Sequence, residues 1–442
     1  MIARNAPLYN LKAVIKETGI KADVLRAWER RYGLPMPDRS GGGHRLYSQR
    51  DIDTIKWLMA RQEEGLSISR AVELWRDIES EGRDPLDDSA NPGSVPTFIT
   101  PGAGMMLGAA PNLDQLRQQW LQACMAYNEM LAENLLNQAL AMYPPEMVVS
   151  EVLQRGLHDI GELWFQNKAT VQQEHFASAL AMRRVDTLLS GTPMPSFAQS
   201  IIVACPPNEW HTFTPLTLSL FLRRRGWNVV YLGANNPNAR LLETVRAIQP
   251  RLLILSSQQL PTAATLMKTA AELTEKGVQV AYGGRIFNVL PTLRRRIHGH
   301  FLGETIEDAM LTVDQLVKHP RPIPEIHPVD HLYIEALESF TSRRGLIEQS
   351  VADYYRARNL SSHHLQHANE FFGDIVAAAL TLGDINYINT DLDWLRNLMI
   401  QYEFSPDRIY PYIHAYVSAM QQHMGAHAQM MVDWAAQYAS AG

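Results

Sequence analysis

Four short apolar runs constrain this chain more than any other feature. They read SIIVACP, NVVYLG, RLLILSS and VQVAYGG, and they fall between Ser200 and Gly284. Each is rich in branched side chains and ends in turn residues. Helical stretches separate them: TPLTLSLFLRRRG, NARLLETVRAIQ and PTAATLMKTAAELTEKG. A fifth run is expected at HGHFLG. Strands alternating with helices at this spacing predict a parallel, doubly wound, Rossmann-like sheet. Open sheets of that kind bind ligands outside the carboxyl ends of their strands.

The other segments arrange themselves around that sheet. A chain of 442 residues predicts about two to four domains. Residues 1–80 are dense in charged and helix-forming types. Residues 81–111 carry many Pro, Gly, Ser and small residues, and read as a flexible linker. Residues 112–192 repeat apolar positions at helical spacing and predict four helices. The sheet occupies 193–320. Residues 319–330, HPRPIPEIHPVD, read as a second linker, and 331–442 return to helices only. The fold class expected is therefore multidomain.

The net charge of −6 excludes global basicity, so any nucleic-acid binding must be local. Two cysteines, Cys124 and Cys205, exclude a disulfide framework and suit a reducing compartment. The chain has no apolar run of about 18 residues, and its N-terminus lacks an apolar signal core. A cytoplasmic protein without a membrane partner is expected.

The first unit has its own logic. LKAVIKETG predicts a short helix stopped by Gly19, and KADVLRAWERRYG a second helix ending at Gly33. That is a helix-turn-helix with the second helix placed for a major groove. Arg26, Arg30 and Arg31 would face DNA, while Leu25 and Trp28 pack inward. PDRSGGGHRLYS supplies glycines for a tight hairpin, and Arg39, His44, Arg45 and Tyr47 for phosphates. A solvated charged helix beside a loop is the plainer alternative. The stretch LRAWERRYGL and the spacing R-x-x-x-G-x-R-x-Y over Arg39–Tyr47 resemble the MerR family of winged-helix regulators, across about residues 8–76. The resemblance implies binding to near-palindromic double-stranded operators as a dimer or higher assembly. Members of that family follow the wing with a long dimerising helix. Here Pro85 and the linker interrupt, so assembly into a dimer or tetramer is expected downstream.

In NEWHTF, His211 falls in the first strand-to-helix loop, at the carboxyl edge of the sheet. Imidazole there can ligate a metal, with a nearby carboxylate such as Glu209 fixing its tautomer. A loop histidine is more often simply solvated, and glycine pairs after strands are common. The segment resembles the cobalamin-binding module, whose signature is Asp/Glu-x-His-x-x-Gly. This chain reads Glu209-x-His211-x-x-Thr214, so a threonine stands in place of the glycine. Ser256 or Ser257 takes the position of the module's serine, and Gly283 and Gly284 after Tyr282 leave room for a nucleotide loop.

The helical stretch adds WFQNKATVQQEH, which sets nine residues between Trp164 and the pair Glu174 and His175. This is similar to the Trp-x9-Glu-His hallmark of the CarH-type light-sensing regulators, as is the order winged helix, linker, four-helix cap, sheet. The resemblance implies adenosylcobalamin as cofactor, with His211 as the lower axial cobalt ligand. Trp164 would pack on the adenosyl group and Glu174 would hydrogen-bond to it. Light would break the cobalt–carbon bond, let His175 reach cobalt from above, and change assembly and operator binding.

Residues 331–442 are surplus to that plan. They carry His363, His364, His367, His414, His423 and His427, with Tyr410, Tyr412 and Tyr416 around Pro411. An ordinary dimerising bundle is one reading. The other is a resemblance to photocobilins, which join a cobalamin module to a globin-like helical domain holding a linear tetrapyrrole such as biliverdin. No cysteine lies there, so a bilin would be non-covalent. Two further classes compete: a light-independent regulator with a degenerate cobalamin site, and a cobalamin enzyme. An enzyme would need a substrate-binding catalytic barrel, and no segment supplies one. A non-enzymatic protein is expected.

Overall fold

In a computed structural model the chain is described at residues 7–39, 45–63, 68, 71–72, 75–76, 79, 84–86, 111–358, 360, 365–392 and 409–441. It divides into two units, Met1–Gly108 and Ala109–Gly442. In the first, strand β1 (Tyr9–Asn10) leads into α1 (Leu11–Thr18) and α2 (Ala22–Tyr32). The Asn10 side chain accepts from the Ala13 N–H and starts α1. Gly19 stops it with φ 75°, which glycine adopts without steric cost. Strands β2 (Asp38–Arg39) and β3 (Arg45–Tyr47) form an antiparallel wing in the order β1-β3-β2, and α3 (Gln49–Glu63) comes next. Val14, Leu25, Trp28, Ile52, Ile55 and Leu58 fill the core between the helices.

The second unit begins with the helices α4 (Leu113–Met125) and α5 (Glu129–Met142). The third helix, α6, runs from Pro145–Val148 through a π turn at Val149–Gln154 to Arg155–Phe165. The fourth, α7, is Val171–Ser190. Asn112 and Thr170 each form a reciprocal cap with the glutamine three residues on. The sheet comes after them: β4 (Ser200–Ala204), α8 (Phe213–Arg224), β5 (Asn228–Gly233), α9 (Asn238–Ile248), β6 (Leu252–Ser256), α10 (Leu260–Glu275), β7 (Val280–Gly283), α11 (Arg285–Val289), β8 (His300–Phe301) and α12 (Ile306–Lys318). All pairings are parallel, in the order β5-β4-β6-β7-β8.

Because side chains alternate along a strand, the two faces of this sheet feed different cores. Ile201, Val203 and Ile254 face α8, α12 and the four-helix cap. Ile202, Leu253 and Leu255 face α9, α10 and the C-terminal helices. Those helices are α13 (His331–Ala357), α14 (Leu365–Leu382), α15 (Ile409–Met424) and α16 (Gln429–Ala441). The C-terminal helices thus share one hydrophobic core with the sheet, and α14 packs directly on α10.

The Pro-rich segment 319–330 is extended, yet it is tied to the sheet. The His327 N–H donates to the Arg295 carbonyl, the Arg296 guanidinium donates to the His327 and Pro328 carbonyls, and His300 Nε2 lies 3.2 Å from the Arg321 carbonyl. Among the described residues, no helix is long and apolar enough to cross a membrane.

Candidate cofactor site at the carboxyl edge of the sheet

The loop after β4 carries the pair singled out by sequence. Asparagines hold its path: the Asn208 N–H donates to Asn235 Oδ1 at 2.9 Å, and Asn236 donates to the Cys205 and Gly233 carbonyls. Asn208 and Asn235 both adopt positive φ, 67° and 50°, which asparagine tolerates better than most side chains. This geometry drives Glu209 into the interior, where it is fully buried.

A buried carboxylate must be satisfied, and this one accepts four hydrogen bonds. Oε1 accepts from the His211 N–H at 2.9 Å and from His211 Nδ1 at 2.7 Å. Oε2 accepts from the Gln258 N–H at 2.7 Å and from the Thr262 hydroxyl at 2.6 Å. Burial alone would raise the Glu209 carboxyl. The donors from His211, Thr262 and Gln258 together outweigh burial and leave it below the ordinary range, hence ionised. The same contact with Glu209 raises His211 against the opposing effect of burial. With Nδ1–H committed to Glu209, Nε2 is the ring nitrogen left to offer a lone pair. The His211 side chain is 55% exposed, so that nitrogen can be reached.

Next to this loop, from Thr214 and the Glu209 partner Gln258 onwards, a cleft of about 210 Å³ opens along the ends of β6, β7 and β8. Apolar walls come from Pro215 and Leu218 of α8 and from Ile306 and Ala309 of α12, and Ile254, Ser256 and Gly283 form its floor. Gly283 is a position of open space, since a Cβ there would meet only Leu302, at 3.9 Å. Gly284 has a different task. Its φ is +119°, and a Cβ would lie 1.9 Å from the Ser257 carbonyl oxygen, so it lets β7 turn against β6. Of the two serines named from sequence, Ser256 lines the cleft. Ser257 is fully buried and its hydroxyl pairs with Thr262 at 2.6 Å, away from the cleft. Thr214, the residue in place of the signature glycine, also lines the cleft.

The cap leans over this edge. Gln154 of α6 lines the same cleft, and Met182 of α7 meets the Thr212 hydroxyl at 3.9 Å. The hairpin after α6 brings Trp164, half-buried, to the same end of the cap as Glu174 and His175. Glu174 accepts from Ser178 at 2.7 Å and contacts His175 Nδ1 at 2.8 Å. Its charge reaches across to His211 and helps to raise that imidazole. The His175 side chain is 72% exposed. The donor set and the shape suit a corrinoid: one outward imidazole nitrogen of fixed tautomer, and beside it an apolar cleft with a glycine floor. Among the described residues no cluster of three or more His, Cys, Asp or Glu could hold a bare metal ion.

Gln258 and Thr262, which satisfy the second oxygen of Glu209, and the asparagines that shape its loop carry no signature in the sequence. In the wing, two residues expected at phosphates are tied to α2. Tyr47 is fully buried and donates its hydroxyl to Glu29 at 2.6 Å, so it cannot reach a phosphate. Arg45 forms an ion pair with the same Glu29 at 2.7 Å, holding the wing to α2. Arg26 and Arg30 are exposed on α2. His44 and the side chains of Arg31 and Arg39 lie outside the described residues.

Among the described residues the C-terminal histidines form no metal-binding cluster. His363 and His364 lie outside the described residues, while His367, His414 and His427 are exposed. His423 meets the Ser350 hydroxyl at 2.8 Å. Tyr412 and Tyr416 pack edge to face on Phe372 in the core, and Tyr410 stacks on Tyr438.

Known proteins divide the chain in the same way. The MerR HTH family regulatory protein profile matches residues 9–77. Two B12 binding domain profiles match residues 116–189 and 199–310. The HTH-type transcriptional repressor CarH of Myxococcus xanthus is 30% identical over 300 residues, covering 67% of this chain and 95% of that protein. The HTH-type transcriptional repressor CarA of the same organism is 29% identical over 250 residues, covering 56% of this chain and 75% of its own. Among solved structures, the Methanosarcina barkeri monomethylamine corrinoid protein aligns with 46% of this chain and 97% of its own, at 19% identity and a TM-score of 0.39.

Proposed function

The chain belongs to the CarH family of HTH-type transcriptional regulators, and on that premise we propose that it is a light-responsive regulator built on adenosylcobalamin. The observation that carries the reading is the outward Nε2 of His211, backed by a fully buried, four-fold hydrogen-bonded Glu209. In this reading His211 would hold cobalt from below, and the cleft over Gly283 would take the nucleotide tail. Trp164, Glu174 and His175 would line the upper side. Adenosylcobalamin, when bound, supplies a cobalt–carbon bond that visible light cleaves.

This chain's own residues would translate that event. The Glu174 carboxylate is held by Ser178 and sits next to His175 at the start of α7, where both would face the upper side of the cofactor. Helix α7 packs on α8, and its core residues Leu180 and Val185 are fully buried. A shift there would propagate as a change of packing. Exposed Arg26 and Arg30 of α2 would grip the operator, and assembly into a dimer or tetramer would multiply that grip.

The test is reconstitution with adenosylcobalamin in darkness, then gel filtration and promoter-fragment binding before and after visible light. Cofactor uptake and a lit change in assembly are expected. Uptake with no lit change would favour the light-independent alternative.

A second reading has one observation in its favour. The Tyr416 hydroxyl is buried without a partner among the described residues. A linear tetrapyrrole such as biliverdin in the C-terminal domain would satisfy it. Adding biliverdin to the same protein tests this through a red-shifted visible band that Tyr416→Phe weakens.

A further inference from the structure

Two charged side chains line the cleft beside His211, and they differ in one respect. Glu304 is paired with Arg294 at 2.9 Å. Arg285, at the start of α11, makes no ion pair among the described residues and is exposed. Its backbone is fixed, since its N–H donates to Gln258 Oε1 at 3.0 Å, and Gln258 in turn donates to Glu209 Oε2 and to Ser256. The residue that holds the Arg285 backbone is thus bonded to the carboxylate that pairs with His211. Arg285 thus lines a cleft whose walls from Pro215, Leu218, Ile306 and Ala309 are apolar.

A guanidinium on the rim of an apolar cleft, without a carboxylate partner, complements an anion. The reading of this edge as a corrinoid site, on which the inference rests, leaves one anionic group to meet it. The nucleotide loop of a cobalamin joins the corrin to the lower base through a phosphodiester. In that reading the loop would enter the cleft over Gly283, which Arg285 also lines.

We propose that Arg285 is a specificity-determining residue of this cleft: its guanidinium binds the phosphodiester of the nucleotide loop, so the chain selects complete cobalamins over corrinoids that lack the loop. Gln258 is a positioning residue in the same device. It accepts from the Arg285 backbone and donates to Glu209, so it fixes the backbone from which the guanidinium departs. The absence of a Cβ at Gly283 keeps the floor of the cleft open for the base beyond the phosphate.

The experiment titrates the full chain with hydroxocobalamin and, separately, with hydroxocobinamide, which has the corrin ring but neither phosphodiester nor base. Wild type, Arg285→Ala and Arg285→Lys are compared by absorbance. Arg285→Ala is expected to weaken hydroxocobalamin binding about ten-fold or more, the loss of one charge-assisted contact. Arg285→Lys should recover part of that loss, because it restores charge without the planar fork. Hydroxocobinamide affinity should stay within about two-fold across all three proteins, since one contact it cannot make is the only one removed. Higher salt should narrow the gap between wild type and Arg285→Ala for hydroxocobalamin. Unchanged hydroxocobalamin affinity in Arg285→Ala overturns the proposal. So does an equal loss for both ligands, which would make Arg285 a support of the fold, and a melting curve of each variant identifies that case. A wild-type chain that takes up neither corrinoid removes the reading beneath the proposal as well, a result distinct from loss of discrimination alone.

Discussion

Replacing Glu209 by glutamine keeps the size of the side chain and removes its charge. The hydrogen bonds around the carboxylate set the consequence. Both of its fully buried oxygens accept, Oε1 from two donors of His211 and Oε2 from Gln258 and Thr262. An amide nitrogen in either place faces a donor. Placed at Oε2 it opposes the Gln258 N–H. Placed at Oε1 it opposes the His211 N–H and drives the imidazole towards the tautomer with its proton on Nε2, whose Nε2 then has no lone pair for a metal. One buried donor is left unsatisfied either way, a cost of about 1–3 kcal/mol. In a domain of this size that lowers Tm by roughly 2–10 °C. Losing the partner that orients a metal-binding histidine reduces metal affinity by about 10–100-fold. Hydroxocobalamin titration by absorbance, with calorimetric melting of the apo protein, measures both effects. A Glu209→Gln protein that binds with wild-type affinity and melts at the wild-type temperature would refute the assignment of Glu209 as the group that sets His211.

The two glycines after β7 should respond in opposite ways. Gly284→Ala forces a Cβ to 1.9 Å from the Ser257 carbonyl at φ +119° and should destabilise the fold by roughly 3 kcal/mol or more in denaturant melts, whereas Gly283→Val should fold and lose hydroxocobalamin affinity about ten-fold or more. His300 is buried and its proton affinity is depressed by that burial. Unfolding therefore raises its pKa to about 6.5, so its contribution to stability is complete above that pH and falls away as the pH drops below it. Thermal melts from pH 7.5 to 5 should slope less steeply for His300→Gln than for wild type. On duplex DNA, Arg30→Ala should reduce the slope of log affinity against log salt by about 0.9, the signature of one lost phosphate contact, and an unchanged slope would take that arginine off the DNA.

The sheet was legible because its strands are buried on both faces, which leaves uninterrupted apolar runs such as Leu252–Ser256. The position of His211 came from the same pattern, since it lies directly after the first run. The partners of Glu209 were not legible. Gln258 and Thr262 lie 49 and 53 residues away, and no periodicity links residues that meet only across the sheet edge. Tyr47 was placed on DNA because a wing pattern does not say which side chains turn inward. Its partner Glu29 sits on α2, within a run of charges that reads as surface. The segment 319–330 reads as a linker because proline removes donors. Its carbonyls still accept, and Arg296 uses those of His327 and Pro328 to tie it down. The shared core of the C-terminal helices and the sheet could not be read, because an apolar helix face does not name the surface it will cover.

The central claim is that the imidazole of His211 is the lower donor to cobalt. The direct measurement is electron paramagnetic resonance of the chain loaded with cob(II)alamin, prepared with ordinary and with 15N-labelled histidine. The nitrogen splitting should change from a triplet to a doublet on labelling, and His211→Ala should abolish this isotope response. A triplet that persists in the labelled wild type would mean that the cofactor's own base keeps its place on the metal, and would contradict the claim.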